Sequence, residues 1–174
     1  MTEAEKRRTR CCFTGHRPEK LQATETEVKK ILAEAIANAY TDGICTFITG
    51  MARGVDIWAA ELVLELKHMN PDVRLICALP HPDFETCWKK EWQLRYRAVL
   101  SQSDFVQTIC PVYDKAAYQK RNEWMVDHSA RVIAVYNGNP GGTKNTVVYA
   151  KKNGVQIMNT LSDQKCSTNI TTSG

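Results

Sequence analysis

The sequence lacks long apolar runs, and this excludes several classes of protein. No stretch of its 174 residues is long and apolar enough to span a membrane. Residues 1–10 are polar and basic and lack the apolar core of a secretory signal peptide. No internal repeat and no second domain are evident. We therefore expect one domain in the cytoplasm, long enough to bury a substantial core.

A strong excess of charge and a metal-binding cysteine pattern are also missing. The formal net charge is +4, which suits an anionic ligand but does not by itself indicate nucleic acid. The chain has seven cysteines but no C-x-x-C pair, and the adjacent Cys11 and Cys12 do not have metal-ligand spacing. We expect reduced thiols, no metal site and no required cofactor other than a bound ligand.

Short apolar segments alternate with amphipathic ones along the chain. Strands are predicted at residues 10–14, 45–49, 73–79, 104–109, 130–136 and 155–158. Helices are predicted at residues 24–40, 55–69, 84–102 (in one piece or two), 115–128 and 143–153. The alternation predicts an α/β fold, a Rossmann-like doubly wound, mostly parallel sheet with helices on both faces. The domain is predicted over residues 1–160, followed by a flexible polar tail at 161–174.

Glycine-containing turns follow three of these strands. The main one is ITGMARGVDIWAAE at residues 48–61, a strand, a turn and the start of a helix. The others are TGHRP at residues 14–18 and GNPGGT at residues 138–143. Backbone N–H groups at such a turn, together with the positive end of the following helix, suit a phosphate. Because the carboxyl ends of parallel strands share one edge of the sheet, the turns predict a ligand site there.

The ordered set of motifs resembles the SMF/DprA–LOG (SLOG) superfamily, and most of all its small, single-domain YpsA-like branch. TGHRPEKL at residues 14–21 resembles the opening motif of that branch, and TGMARGVD at residues 49–56 resembles the S-G-x-A-R-G-[IV]-D motif of the DNA-processing protein DprA. Arg121-Asn122 resembles an R-N pair, and Gly141-Gly-Thr143 with Thr146 resembles a G-G-T-x-x-T turn. The resemblance implies a Rossmann-like domain that binds nucleotides or nucleotide-derived ligands.

One residue of the enzymatic branch of this superfamily is absent. LOG enzymes, which hydrolyse the glycosidic bond of a nucleoside monophosphate, carry P-G-G-x-G-T-x-x-E, whereas this chain continues from Pro140-Gly-Gly142 with TKNTVV. Glycoside hydrolysis needs a carboxylate near the departing group or the developing cation. We therefore lean against an enzyme, unless the fold brings Glu61, Glu91 or Asp56 into the site.

The turns and the motif matches together define the candidate ligand-binding residues. They are Thr14, Gly15, His16, Arg17, Gly50, Arg53, Gly54, Asp56, Arg121, Asn122, Gly141, Gly142, Thr143 and Thr146. Arg17 and Arg53 are expected to neutralise phosphate, although Arg53 also suits a surface salt bridge. Asp56 suits either a ribose hydroxyl or a helix cap. A part for His16 in chemistry is left open.

The predicted function is binding of a nucleotide-derived small molecule, such as an ADP-ribose-like or cyclic nucleotide signal, by a sensor or sequestering protein. The alternative is a LOG-like hydrolase of an N-glycosidic or phosphate bond, and the third is a single-stranded DNA-binding module. Trp88, Trp92 and Tyr96 are predicted to form one helical stripe that belongs to the core or to a homodimer interface.

Overall fold

The computed structural model describes residues 1–161, so all of the predicted tail after Leu161 lies outside the described residues. The strands are β1 (Arg10–Gly15), β2 (Thr46–Thr49), β3 (Arg74–Leu79), β4 (Phe105–Thr108), β5 (Arg131–Val135) and β6 (Gln156–Asn159). The helices are α1 (Glu3–Arg8), α2 (Glu25–Thr41), α3 (Val55–Met69), α4 (Lys90–Gln102), α5 (Ala117–Asp127) and α6 (Gly142–Lys152). A short 3-10 helix spans Pro18–Lys20.

The strands form one six-stranded sheet in the order β4-β3-β2-β1-β5-β6, and every pair is parallel. The chain winds from β1 to β4 in one direction and then returns to place β5 on the other side of β1. This reversal is the switch point of a doubly wound sheet, where the connections that follow β1 and β5 lead to helices on opposite faces and leave a crevice between them. The Rossmann-like α/β prediction is confirmed.

Alternation of side chains along the strands divides the core between the faces of the sheet. Cys11 and Phe13 of β1 pack with residues of α2, α3 and α4, whereas Cys12 packs with Met125 of α5 and Ala150 of α6. Both faces are therefore covered by helices. This explains why the central strands β1, β2, β3 and β5 are mostly buried and apolar rather than alternating apolar with polar.

The structure differs from the predicted elements at the start of the long segment 84–102 and at the N-terminus. Residues 84–89 form turns rather than helix, because Asp83 has φ 58° and its carbonyl accepts the Thr86 N–H. Residues 3–8 form α1, a polar helix that we did not predict. Its Thr2 and Glu5 make a capping box, and Arg7 anchors it by donating to the Ser129 carbonyl.

The aromatic stripe is part of the core. Trp88 precedes α4 rather than belonging to it, and its ring packs edge-on against Tyr96, which is buried. Trp92 lies against Trp58 of α3. Among residues 1–161, no helix is long and apolar enough to cross a membrane.

Candidate functional site

A cavity of about 450 Å³ opens at the carboxyl edge of the sheet, at the switch point beside β1. Its wall is built from the ends of β1, the 3-10 helix, the β2–α3 turn, α5 and the start of α6. The lining residues are Phe13, Thr14, Gly15, His16, Arg17, Glu19, Lys20, Ala52, Asp56, Tyr118, Arg121, Asn122, Gly141, Gly142 and Thr143. We call it the switch-point cavity. Its volume lies in the range of small-molecule sites.

The start of α6 presents unpaired backbone N–H groups to this cavity. Gly141 is the N-cap residue, with φ 140°, and no side chain caps the helix. The first turn has no acidic residue, so nothing internal neutralises the positive end of the helix. Lys20 adds a cation, since its Nζ would lie 3.8 Å from a Cβ built on Gly141. This corner of the cavity can hold a phosphate.

The carboxyl group of Asp56 and the guanidinium group of Arg121 both lie against the turn between β2 and α3. The Ala52 N–H donates to Asp56 Oδ2 at 3.2 Å, and Arg121 donates to the Gly50 carbonyl. A Cβ on Gly50 would lie 2.8 Å from Asp56 Oδ2 and 3.0 Å from Arg121 Nη1. A side chain at this position would force Asp56 and Arg121 to shift, so glycine allows both groups to lie close to the turn.

Burial dominates the protonation of this pair. Asp56 is 8% exposed, and its loss of hydration raises its pKa to about 6, although Arg121 and the Ala52 N–H act in the opposite direction. Burial also lowers the pKa of Arg121, with Asp56 opposing that shift. Arg121 stays a cation because arginine titrates far above neutral pH. The cavity therefore combines a fixed cation with a carboxyl group that titrates near pH 6.

His16 has an unsatisfied polar atom in the wall. The residue is 3% exposed, and its Nε2 has no hydrogen-bond partner among residues 1–161. Burial and the nearby charge of Lys20 lower its pKa, while Asn137 opposes this, so the ring is neutral at pH 7. An unpaired buried nitrogen is costly unless a ligand or water satisfies it.

Four predicted site residues do not line the cavity. Gly50 and Gly54 shape the β2–α3 turn; Gly54 has φ 89°, and a Cβ there would lie 2.7 Å from Pro18. Arg53 pairs with Glu19 at 3.0 Å, the surface salt bridge that the sequence left as its alternative. Thr146 donates to the Gly142 carbonyl at 2.9 Å within α6. The other predicted residues all lie in the wall.

Several lining residues escaped the sequence analysis: Phe13, Glu19, Lys20, Ala52 and Tyr118. Lys20 and Glu19 belong to the TGHRPEKL motif, which was a usable signal. No sequence pattern around Tyr118 indicates a site residue, because Tyr118 reaches the cavity from α5. Its ring lies 5.6 Å from the Arg121 guanidinium. Of the carboxylates considered, only Asp56 reaches the wall. Glu61 is instead bound by Arg95.

The sequence matches a protein family over the residues that form the sheet and the cavity. The profile of the YpsA family, described as the YspA SLOG family, matches residues 11–163. The chain belongs to this family. It is 31% identical over 150 residues to a UPF0398 protein of Bacillus cereus (strain G9842), with 81% of this chain and 82% of that protein covered. It is 34% identical over 118 residues to YoqJ, an uncharacterised SPbeta prophage-derived protein of Bacillus subtilis (strain 168), with 61% of this chain and 69% of that protein covered.

Solved structures of DprA share the fold of this YpsA family member. DprA of Streptococcus pneumoniae superposes with a TM-score of 0.62 at 16% identity over 86% of this chain. DprA of Helicobacter pylori, described for its single-stranded DNA binding mode, superposes with a TM-score of 0.58 at 16% identity over 89% of this chain. The chain spans only 49% of the first of these proteins and 66% of the second.

The lining of the cavity is rich in polar and charged groups. Among the described residues, no group of three or more His, Cys, Asp or Glu side chains could hold a metal ion. Arg17, Lys20 and Arg121 supply positive charge, and Thr143 supplies a hydroxyl beside the α6 N–H groups. An anion with hydroxyl groups is therefore the ligand that this chemistry suits best.

Proposed function

We propose that the switch-point cavity binds a nucleotide-derived small molecule, with a phosphate at the start of α6. The observation that carries the proposal is the uncapped N-terminus of α6 facing the same cavity as Lys20 and Arg17. Backbone N–H groups and the helix dipole favour a negative charge there, and flexible cations complete its neutralisation.

The rest of the wall suits the sugar of such a ligand. Within residues 1–161, Asp56 Oδ2 accepts a single hydrogen bond, from the Ala52 N–H, so the carboxyl group has capacity left for ribose hydroxyls. Asn122 faces Gly142, with its Nδ2 within 3.8 Å of a Cβ built there, and lies beside the phosphate position. His16 Nε2 gains a partner when a polar ligand enters. Sensing or sequestration in the cytoplasm, by a monomer or a homodimer, is part of this proposal.

Ligand-induced stabilisation tests the proposal directly. AMP, ADP and ADP-ribose should raise the melting temperature, whereas adenosine, which has no phosphate, should have little effect. At a concentration one hundred times the Kd, the expected rise is roughly 5–10 °C. The Arg17→Gln/Lys20→Gln double variant should weaken the binding of AMP roughly tenfold or more. Lys144→Gln, an exposed lysine of α6 outside the wall, is the matched control.

Other outcomes of the same experiment separate the alternatives. No stabilisation by any phosphate compound at millimolar concentration would refute the proposal. Release of free base from AMP during a long incubation, abolished in Asp56→Asn, would assign hydrolysis, with Asp56 in place of the carboxylate that the LOG motif carries. Tight, salt-sensitive binding of an oligothymidylate in place of mononucleotides would favour the single-stranded DNA that the Helicobacter pylori protein binds.

A further inference from the structure

A second cavity lies beside the first, at the carboxyl ends of β5 and β6. Its volume is about 770 Å³, and it is bounded by Leu21, Gln22, Tyr136, Asn137, Asn139 and Leu161, among others. We call it the amide cavity. Among residues 1–161, its lining includes no charged side chain, in contrast to the switch-point cavity with its lysine and arginines.

The two cavities share one partition. His16 lines the first and Tyr136 the second, and their ring centroids are 5.6 Å apart. The partition continues where Asn137 Nδ2 donates to the Lys20 carbonyl at 3.3 Å, while the Lys20 side chain lines the switch-point cavity. A cation therefore lies next to the ridge that a molecule occupying both cavities would have to cross.

The chemistry of the amide cavity suits a heterocyclic base. The side-chain amides of Gln22 and Asn139 make no hydrogen bond within residues 1–161, so their donors and acceptors are available. Asparagine and glutamine amides match the edge of adenine in a bidentate manner. Tyr136 offers an aromatic ring for stacking, and Leu21 an apolar contact. The described part of the chain offers no lining cation to a phosphate in this cavity.

We propose that the amide cavity is a nucleobase subsite, and that the ligand is a dinucleotide-type molecule. One nucleotide occupies the switch-point cavity, its phosphate link crosses the ridge at Lys20, and the second base enters the amide cavity. This rests on the proposed function, because the first nucleotide must bind at the start of α6. It goes further by defining the class of ligand.

The test compares ligands that differ only in the second base. Isothermal titration is carried out on the full chain with AMP, with ADP-ribose and with diadenosine diphosphate, which adds a second adenine to the diphosphate and riboses of ADP-ribose. We expect diadenosine diphosphate to bind roughly tenfold or more tightly than ADP-ribose, because the amides of Gln22 and Asn139 hold the second base against the Tyr136 ring. The Gln22→Ala/Asn139→Ala double variant, which leaves the ring but removes the groups that hold the base on it, should lose most of this advantage and keep its affinity for AMP.

Asn145→Ala, an exposed amide of α6 outside both cavities, is the matched control and should retain the advantage. Equal affinities for ADP-ribose and diadenosine diphosphate would overturn the inference, as would an advantage that persists in the double variant. Both of these results leave AMP binding, and with it the proposed function, intact. If AMP, ADP-ribose and diadenosine diphosphate all fail to bind, the proposed function itself is wrong.

Discussion

Two regions of the same sheet edge have opposite character. At the ends of β1 and β5 the chain leaves an open polar cavity, whereas at the end of β3 a cluster of rings fills the corresponding space. Phe84 is the centre of that cluster, edge-on to Trp88 at 5.2 Å and to Tyr96 at 5.6 Å. Tyr118 belongs to both regions, since it packs against Phe84 and lines the switch-point cavity.

The difference follows from the residues at the end of each strand and in the connection after it. Gly15, the last residue of β1, and Gly141, in the connection after β5, have no side chain, so backbone groups reach the cavity and space remains for a ligand. A Cβ on Gly15 would lie 2.5 Å from Val55, which shows how closely α3 approaches β1 there. After β3, large apolar side chains occupy the edge and contribute burial instead. We propose that the open region serves binding, whereas the filled region contributes to stability.

The largest expected effect comes from emptying the filled region. Phe84→Ala removes a ring that is 4% exposed and contacts several others, and should lower the free energy of unfolding by about 3–5 kcal/mol. Urea unfolding measures it. Tyr113→Ala, at a ring that is 67% exposed, is the control and should change stability by about 0.5 kcal/mol or less. Similar losses in both variants would contradict the distinction between the regions.

An intermediate effect concerns the pH dependence that the open region imposes on stability. Because burial raises the pKa of Asp56 from 3.8 to about 6, the native state binds more protons than the unfolded chain within this window. The contribution of Asp56 to the free energy of unfolding therefore falls as pH rises from about 4 to 6, by an amount on the order of 3 kcal/mol. Asp56→Asn should remove this part of the slope.

Urea unfolding at several pH values between about 4 and 7 measures that slope. Glu91→Gln, which alters an exposed carboxylate of α4, should leave it unchanged. A slope that survives in Asp56→Asn would assign the dependence to a different carboxyl group.

The smallest expected effect is at Arg53, next to the open region but outside its wall. Arg53→Gln removes an ion pair with Glu19, whose side chain is 55% exposed, and such surface pairs contribute about 0–1 kcal/mol. Stability and AMP affinity should therefore change little, about threefold at most for affinity. The affinity for AMP is measured by titration alongside Arg17→Gln. A tenfold loss in Arg53→Gln would show that Arg53 contributes to binding after all.

Features that depend on neighbouring residues in the sequence could be predicted from the sequence alone. The alternation of strands and helices predicted the parallel sheet, and the glycine turns predicted the edge at which residues such as Thr14 and Gly142 meet. The direction in which each side chain of a turn points was harder to predict. Arg53 and Asp56 are close in sequence, yet Asp56 faces the cavity and Arg53 faces outward to Glu19. Periodicity also extended α4 backwards over residues 84–89, where packing of rings holds the chain in turns.

The order of apolar segments, turns and motifs is written along the chain, so it already determines the fold class, the family and the sheet edge that carries the candidate site. The protonation of Asp56, the unpaired nitrogen of His16 and the contribution of Tyr118 from α5 depend on distant segments. Burial, the close approach of charges and the partition between the cavities arise only when these segments pack together. Free energies that depend on distance and dielectric are settled by the packed structure, because they have no counterpart in sequence order.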